Sequence, residues 1–261
     1  MRSPVDVGAA RPLRPLDSRS LRRAVRTLAA RDPDLAAAVA RLGPPPLWAR
    51  RPGFATLVRI ILEQQVSLAS AAATYRRLRA AAGRVTPARV AFAGEASLRA
   101  AGVTRQKAVY CCALAREVTS GRLALAALGH LPETAVRSRL LQLPGVGPWT
   151  ADIYLLMALR RPDVWPRGDL ALARAAQHVK RLRRLPDDDA LSGMAERWAP
   201  WRAAAARILW HAYLCQRRQS DGGLRPASRA GRPAPAPAGR RRRQEASRRA
   251  TPGCRTRGIP S

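Results

Sequence analysis

Five residues, Leu143-Pro144-Gly145-Val146-Gly147, constrain this chain more than any other stretch. Apolar residues recur at helical spacing before them (Val136, Leu140, Leu141) and after them (Ile153, Leu156, Met157), so two helices meet at a two-glycine turn. Glycine permits the positive φ such a turn requires, and without Cβ it leaves the amides open to a bulky partner. The N–H groups of the turn and of the next helix's first turn lack intrahelical acceptors. Together with the helix dipole they can hold one phosphate of a nucleic-acid backbone. Past the second helix, Pro162-Asp163-Val164-Trp165-Pro166-Arg167-Gly168-Asp169 leads into a helical run from Leu170 to about Arg181. Asp169 therefore stands at a helix start. A lone Asp there is ordinarily an N-cap. Beside a phosphate-gripping turn it is also placed to stabilise positive charge on a sugar, or to activate water against it.

The charge balance agrees with such a partner. Across 261 residues, 48 Lys and Arg against 17 Asp and Glu give +31, which points to a polyanion without separating DNA from RNA or an acidic membrane. The four cysteines, Cys111, Cys112, Cys215 and Cys254, form no CxxC pair, so neither a zinc site nor a disulfide framework is suggested. The start lacks the apolar core of a signal peptide, and no apolar run approaches membrane-spanning length. The expected protein is soluble and cytoplasmic, with no membrane-spanning segment.

In chain order, residues 1–16 are Pro/Arg-rich and loose. Asp17 or Ser18 caps a helix through Ala30, and Pro33 starts a second that ends at Gly43. The stripe Phe54, Leu57, Val58, Ile61, Leu62 gives a third, and a fourth runs from after Val66 to Gly83, with Gln64 and Gln65 at the junction. Thr86-Pro87 and Glu95 to Gly102 read as two short helices, Thr104 to Gly121 as a longer one, and Pro132 starts the helix that enters the turn. Asp187-Asp188-Asp189 caps a helix reaching Trp198; lacking calcium-loop spacing, the triplet is read as a capping cluster. Pro200 starts the last helix, ending near Cys215. No stretch alternates with period two, so the fold reads as all-α, with a helical domain over 17–215. The tail, 216–261, is rich in Gly, Pro, Ala and Arg, with thirteen arginines against Asp221 and Glu245, a surplus of eleven. With almost nothing to bury it is expected to be disordered. Two readings of it stay open, a non-specific DNA arm and a solvated extension.

LPGVGPWTADIYLL followed by DVWPRGDLAL resembles the helix-hairpin-helix, Gly/Pro-rich loop and aspartate signature of the HhH-GPD base-excision DNA glycosylases, most closely their 3-methyladenine-DNA glycosylase II (AlkA-like) branch. IILEQQVS from Ile60 is similar to that branch's early helix and DNA-facing loop, and AERWAPWR from Ala195 with Leu209-Trp210 to its last helices. The likeness runs from about Phe54 to Trp210.

The resemblance implies two helical lobes with a DNA-binding cleft between them, a short form without an extra N-terminal β-domain. It implies a monomer acting on double-stranded DNA that contains damaged bases, with no cofactor and no metal. Asp169 is the expected catalytic carboxylate. Trp149, Trp210 and, less directly, Tyr154 are the expected walls for an extruded base, because indole faces stack on a base and attract one made cationic by alkylation. The branch's pocket tyrosine falls at Ile153 here, one step round the helix from Tyr154. Gln64, Gln65, Leu143, Pro144, Gly145, Val146, Gly147 and Thr150 are the expected DNA contacts, with Gln65 filling the gap left by the base. Superfamily members that also cut the strand carry a lysine just after the hairpin. Trp149 stands there, which implies a hydrolase of alkylated purines without lyase activity. Two other readings fit the same residues: a glycosylase for a deaminated or oxidised base, and a helical DNA-binding module that has lost catalysis.

Overall fold

The computed structural model describes residues 14–222, and among these all regular structure is helical. Asp17 caps α1 (Ser18–Arg31) through a reciprocal box with Ser20, its carboxylate accepting from the Ser20 amide at 2.7 Å. Asp32 ends α1 and caps α2 (Pro33–Leu42), where Pro33 loses no helical hydrogen bond. An extended connection then leads to α3 (Phe54–Glu63) and α4 (Leu68–Ala82).

The two short helices expected over 87–102 are present, joined end to end as α5 (Pro87–Ala100) across a kink at Gly94, whose φ of 67° is not helical. α6 (Arg105–Thr119) follows, then a 3-10 turn at Leu125–His130 that no cap or periodicity in the sequence announces. α7 (Glu133–Leu141) enters the hairpin and α8 (Pro148–Ile153) leaves it. α8 widens into a π-helical turn at Tyr154–Ala158, where the Leu159 amide donates to the Tyr154 carbonyl at 3.1 Å. α9 (Leu170–Val179) and α10 (Asp188–Glu196) precede α11 (Arg202–Gly222). That last helix runs past Cys215, seven residues into the segment expected as tail; the remainder of the tail and residues 1–13 lie outside the described residues.

Packing divides the helices into two groups. α1, α2, α9, α10 and α11 pack on one another, and α3 to α8 do the same, the chain crossing once before α3 and returning after the π turn. These are the two lobes. Their apolar faces share a cluster in which Leu28, Leu35, Ile60, Ile61, Leu140, Leu156 and Leu209 are fully or almost fully buried. Each such side chain contributes about 1.5–3 kcal/mol on transfer from water.

Two polar knots brace this core. Asp32 is buried and accepts from the Lys180 ammonium at 2.6 Å and the Trp198 indole at 2.8 Å. Arg207 is wholly buried, and its guanidinium donates to the carbonyls of Leu47 (2.9 Å), Ala203 (2.8 Å) and Leu156 (2.8 Å). It thereby ties the 44–53 connection, the π turn and α11 together, one turn before Trp210. Burial without a carboxylate partner pushes its pKa down to about 10.

Candidate active site

Positive φ at Gly145 (77°) turns the chain from α7 into α8. The Tyr110 ring of α6 lies against it so closely that a Cβ there would fall inside the ring. Gly147 differs. Its φ of −89° suits any residue, and a Cβ there would meet nothing within 4 Å. Among the described residues no neighbour demands glycine at 147. Among the described residues neither the Gly145 nor the Gly147 amide donates to a protein acceptor, and Trp149 and Thr150 follow in the first turn of α8.

Several expected DNA contacts turn inward instead. Leu143 and Val146 are 7% and 5% exposed, so their side chains belong to the core and only their backbone edges the hairpin. Thr150 is buried, and its hydroxyl accepts from the Gln64 amide at 2.8 Å. Gln64 donates also to the Gly145 carbonyl at 2.8 Å. In this structure both side chains serve as braces that lock the end of α3 onto the hairpin. Pro144 and Gly147 remain exposed. So does Gln65, which stands at φ 54° in the bend between α3 and α4, flanked by the exposed side chains of Val66 and Leu68.

Lys107, which carries no motif in the sequence, fixes that bend. Its ammonium donates to the carbonyls of Leu62 (2.9 Å) and Gln64 (2.7 Å), capping α3 from the side. Burial lowers its pKa, against a smaller raising influence from Cys111. α7 and α8 are held together by Arg137, which donates twice to Asp152 (3.0 and 2.7 Å) and once to Glu133 (3.1 Å).

The two lobes meet at Asp169. It is the N-cap of α9, its Oδ1 accepting from the Leu172 amide at 2.8 Å, so the capping role is real. It does not exhaust the carboxylate. The Trp149 indole of α8 donates to Oδ2 at 2.9 Å, and the Trp210 indole of α11 donates to Oδ1 at 3.3 Å. An ionised carboxylate offers roughly four acceptor sites. Three are spent, and the fourth, on Oδ2, remains for a further donor. Asp169 is 9% exposed.

The approach to it is fixed by the acidic triplet. Asp187 caps α10, whereas Asp188 accepts from the Gly168 amide at 2.7 Å and from Arg167 at 2.9 Å, and Asp189 accepts from Arg167 at 3.1 Å. Those contacts hold the turn immediately before Asp169. An Arg-Gly-Asp turn followed by an Asp triplet about twenty residues later is the signal in the sequence, although nothing local pairs them.

The aromatic residues divide. Trp149 is half-buried; Trp210 is 8% exposed, with its indole N–H on Asp169. Tyr154 is corrected outright. It is fully buried, with its hydroxyl accepting from the Gly53 amide at 3.0 Å, so it has no face for a base. Trp198 is core, its ring tilted against Trp165. Among the described residues no three His, Cys, Asp or Glu side chains are grouped so as to hold a metal, and no helix is long and apolar enough to cross a membrane.

Known proteins resemble this chain in sequence and fold. The putative DNA-3-methyladenine glycosylase YfjP of Bacillus subtilis is 27% identical over 162 residues, covering 59% of this chain and 56% of that protein. The DNA-3-methyladenine glycosylase 2 of Escherichia coli is 30% identical over 191 residues, covering 67% of this chain and 64% of the other. The chain thus spans a little over half the length of the first relative. The solved structure of Schizosaccharomyces pombe 3-methyladenine DNA glycosylase Mag1, in complex with abasic DNA, superposes with a TM-score of 0.68 at 26% identity, covering 72% of this chain and 95% of that one. Residues 58–201, more than half of the chain, match the HhH-GPD superfamily base excision DNA repair protein family. The chain belongs to the HhH-GPD superfamily of base excision DNA repair proteins.

Proposed function

We propose that this protein is a DNA glycosylase that hydrolyses the N-glycosidic bond of alkylated purines in double-stranded DNA, leaving an abasic site. The observation that carries the proposal is the convergence of three distant segments on one carboxylate: Trp149 beside the hairpin, Asp169 at the head of α9, and Trp210 on α11.

The hairpin amides take a phosphate, fixing the strand, and Gln65 enters the space vacated by the extruded nucleotide. As the bond between C1′ and the base nitrogen breaks, the base leaves with the electron pair and positive charge builds on the sugar. The free lone pair of Asp169 Oδ2 faces that charge and orients the water whose oxygen adds to C1′. The proton lost by the water passes to the carboxylate or to the departing base. A cationic alkylated base gains roughly 0.5–2 kcal/mol against the indole face of Trp149, which favours alkylated over neutral purines. The relatives named above as 3-methyladenine glycosylases support that substrate class.

Strand cutting would need an amine to form a Schiff base. The chain has two lysines, and both are engaged, Lys107 on the carbonyls of Leu62 and Gln64 and Lys180 on Asp32 and Asp34. This supports a monofunctional hydrolase. Short duplexes carrying a methylated purine, a uracil or an oxidised guanine test the whole reading, with released base and strand scission both followed. Release of the methylated purine with intact strands is expected. Release of uracil or oxidised guanine alone moves the protein to another lesion, duplex binding without release makes it a binding module, and a borohydride-trapped adduct restores a lyase.

A further inference from the structure

Away from Asp169, α2, α9 and α11 enclose an open groove of about 1010 Å³. Four guanidinium groups line it: Arg41 of α2, Arg174 of α9, Arg181 just beyond it, and Arg217 of α11, all exposed. Among the described residues none of the four has a carboxylate partner. The acidic side chain in the groove, Asp34, is matched by Lys180 at 3.1 Å, which also takes Asp32. Arg217 is held over the half-buried ring of Tyr213, 5.9 Å from its centroid, and Arg181 is fixed in the left-handed region at φ 53°. A helix C-terminus favours a nearby cation. It does not account for four of them directed into one groove, where they repel one another unless a polyanion is present.

We propose that this groove is a second nucleic-acid site, which binds the phosphodiester backbone of a DNA segment other than the one gripped at the hairpin. The geometry separates the two. Asp169 lies at the N-terminal end of α9 and the groove extends to its C-terminal end, roughly 15 Å away along the axis. α11 likewise runs from Trp210 at the site to Arg217 in the groove. Asp169 and the far end of the groove therefore lie at opposite ends of α9. Guanidinium forks match phosphate oxygens in pairs, which lysine cannot do. Arg174 lies within α9 and Arg181 just beyond its end, and a duplex presents a phosphate charge about every 1.7 Å of its axis, so several fall along the groove. An enzyme with this groove holds two duplex segments at once and can pass from one to the other.

The test uses the full chain and two short undamaged duplexes, one carrying a fluorescence donor and the other an acceptor, with energy transfer reporting their capture by one protein. The variant Arg41→Gln/Arg174→Gln/Arg181→Gln/Arg217→Gln is expected to need at least tenfold more protein for the same transfer. Its dependence of log affinity on log salt should be shallower by about 3–4, at ~0.9 for each phosphate no longer neutralised. Single-turnover base release from an isolated lesion duplex should stay within about twofold, so the groove stands or falls apart from the glycosylase reading. The double variant Arg41→Gln/Arg217→Gln, on two separate helices, should show about half the change in slope and guards against misfolding. A third variant, with Arg240 to Arg243 each replaced by Gln, should capture both duplexes as the wild type does. Transfer undiminished in the groove variants, or lost only in the Arg240–Arg243 variant, overturns the proposal. So does polyglutamate that competes as well as DNA of equal charge, which would mark the groove as a site for an acidic protein.

Discussion

The two hairpin glycines separate structure from function when each is replaced by alanine. Gly145→Ala forces a side chain into positive φ, at about 1–2 kcal/mol, and drives it into the Tyr110 ring, where overpacking costs about 1–3 kcal/mol more. With a melting shift of about 2–4 °C per kcal/mol for a domain of this size, Tm should fall on the order of 10 °C. Gly147→Ala has neither problem, since its φ is −89° and nothing lies within 4 Å. Its extended backbone also suits a residue before proline. Loss of chain entropy in the unfolded state should therefore stabilise it by about 0.4–1 kcal/mol. Its methyl group stands where the strand has to approach the amides. If one charge-assisted hydrogen bond is broken, worth about 1.5–3 kcal/mol, affinity drops about tenfold to a hundredfold. Thermal melts and fluorescence anisotropy on a duplex with an abasic-site analogue give the two readings. A Gly147→Ala protein that melts no lower than the wild type and binds the duplex equally well refutes the hairpin as the phosphate grip.

Two further substitutions probe the scaffold of the site. Burial acts to raise the Asp32 carboxyl, but the bonds from Lys180, Trp198 and the Leu35 amide outweigh it and hold its pKa below the ordinary carboxylate range. A depressed folded-state pKa gives stability that is present above the unfolded value, near 4, and is lost as pH falls through the folded one. Asp32→Asn should cost roughly 1.5–3 kcal/mol at pH 7, and the gap from the wild type should close in urea titrations taken below pH 4; a gap unchanged down to pH 3 contradicts the assignment. Lys107→Met removes two hydrogen bonds to carbonyls together with the cost of burying an ammonium, so stability should move by no more than about 1 kcal/mol. The α3–α4 bend that carries Gln65 loses its anchor, and duplex affinity should fall several-fold; unchanged affinity would make Lys107 merely structural.

What the sequence displays and what it hides follow from locality. Caps and proline starts depend on residues within one turn, so α1, α2, α9 and α10 begin where Asp17, Pro33, Asp169 and Asp187 place them. The join at Asp169 is legible as a motif, because the hairpin, the aspartate and the late tryptophan keep their order and separation. The inward turn of Gln64 and Thr150 is not. Their side-chain hydrogen bond links residues 86 apart, and no local pattern reports such a pairing. Tyr154 misleads for a related reason. The helix widens at that point, and its hydroxyl finds Gly53 across 101 positions of sequence. Lys107 and Arg207 are basic residues in an arginine-rich chain, and nothing nearby distinguishes a buried cation from a solvated one.

The central claim is that the Asp169 carboxylate, and not only the grip on DNA, breaks the glycosidic bond. Asp169→Asn preserves the cap, since asparagine caps a helix about as well as aspartate. Its amide nitrogen would meet the Trp149 N–H, leaving one buried donor unpaired at about 1–3 kcal/mol of stability. Single-turnover release of a methylated purine from duplex DNA, measured with duplex affinity for wild type and variant, isolates the chemistry. The account predicts a loss in rate of about a hundredfold to a thousandfold with affinity largely kept; release by the variant within about twofold of the wild-type rate contradicts it.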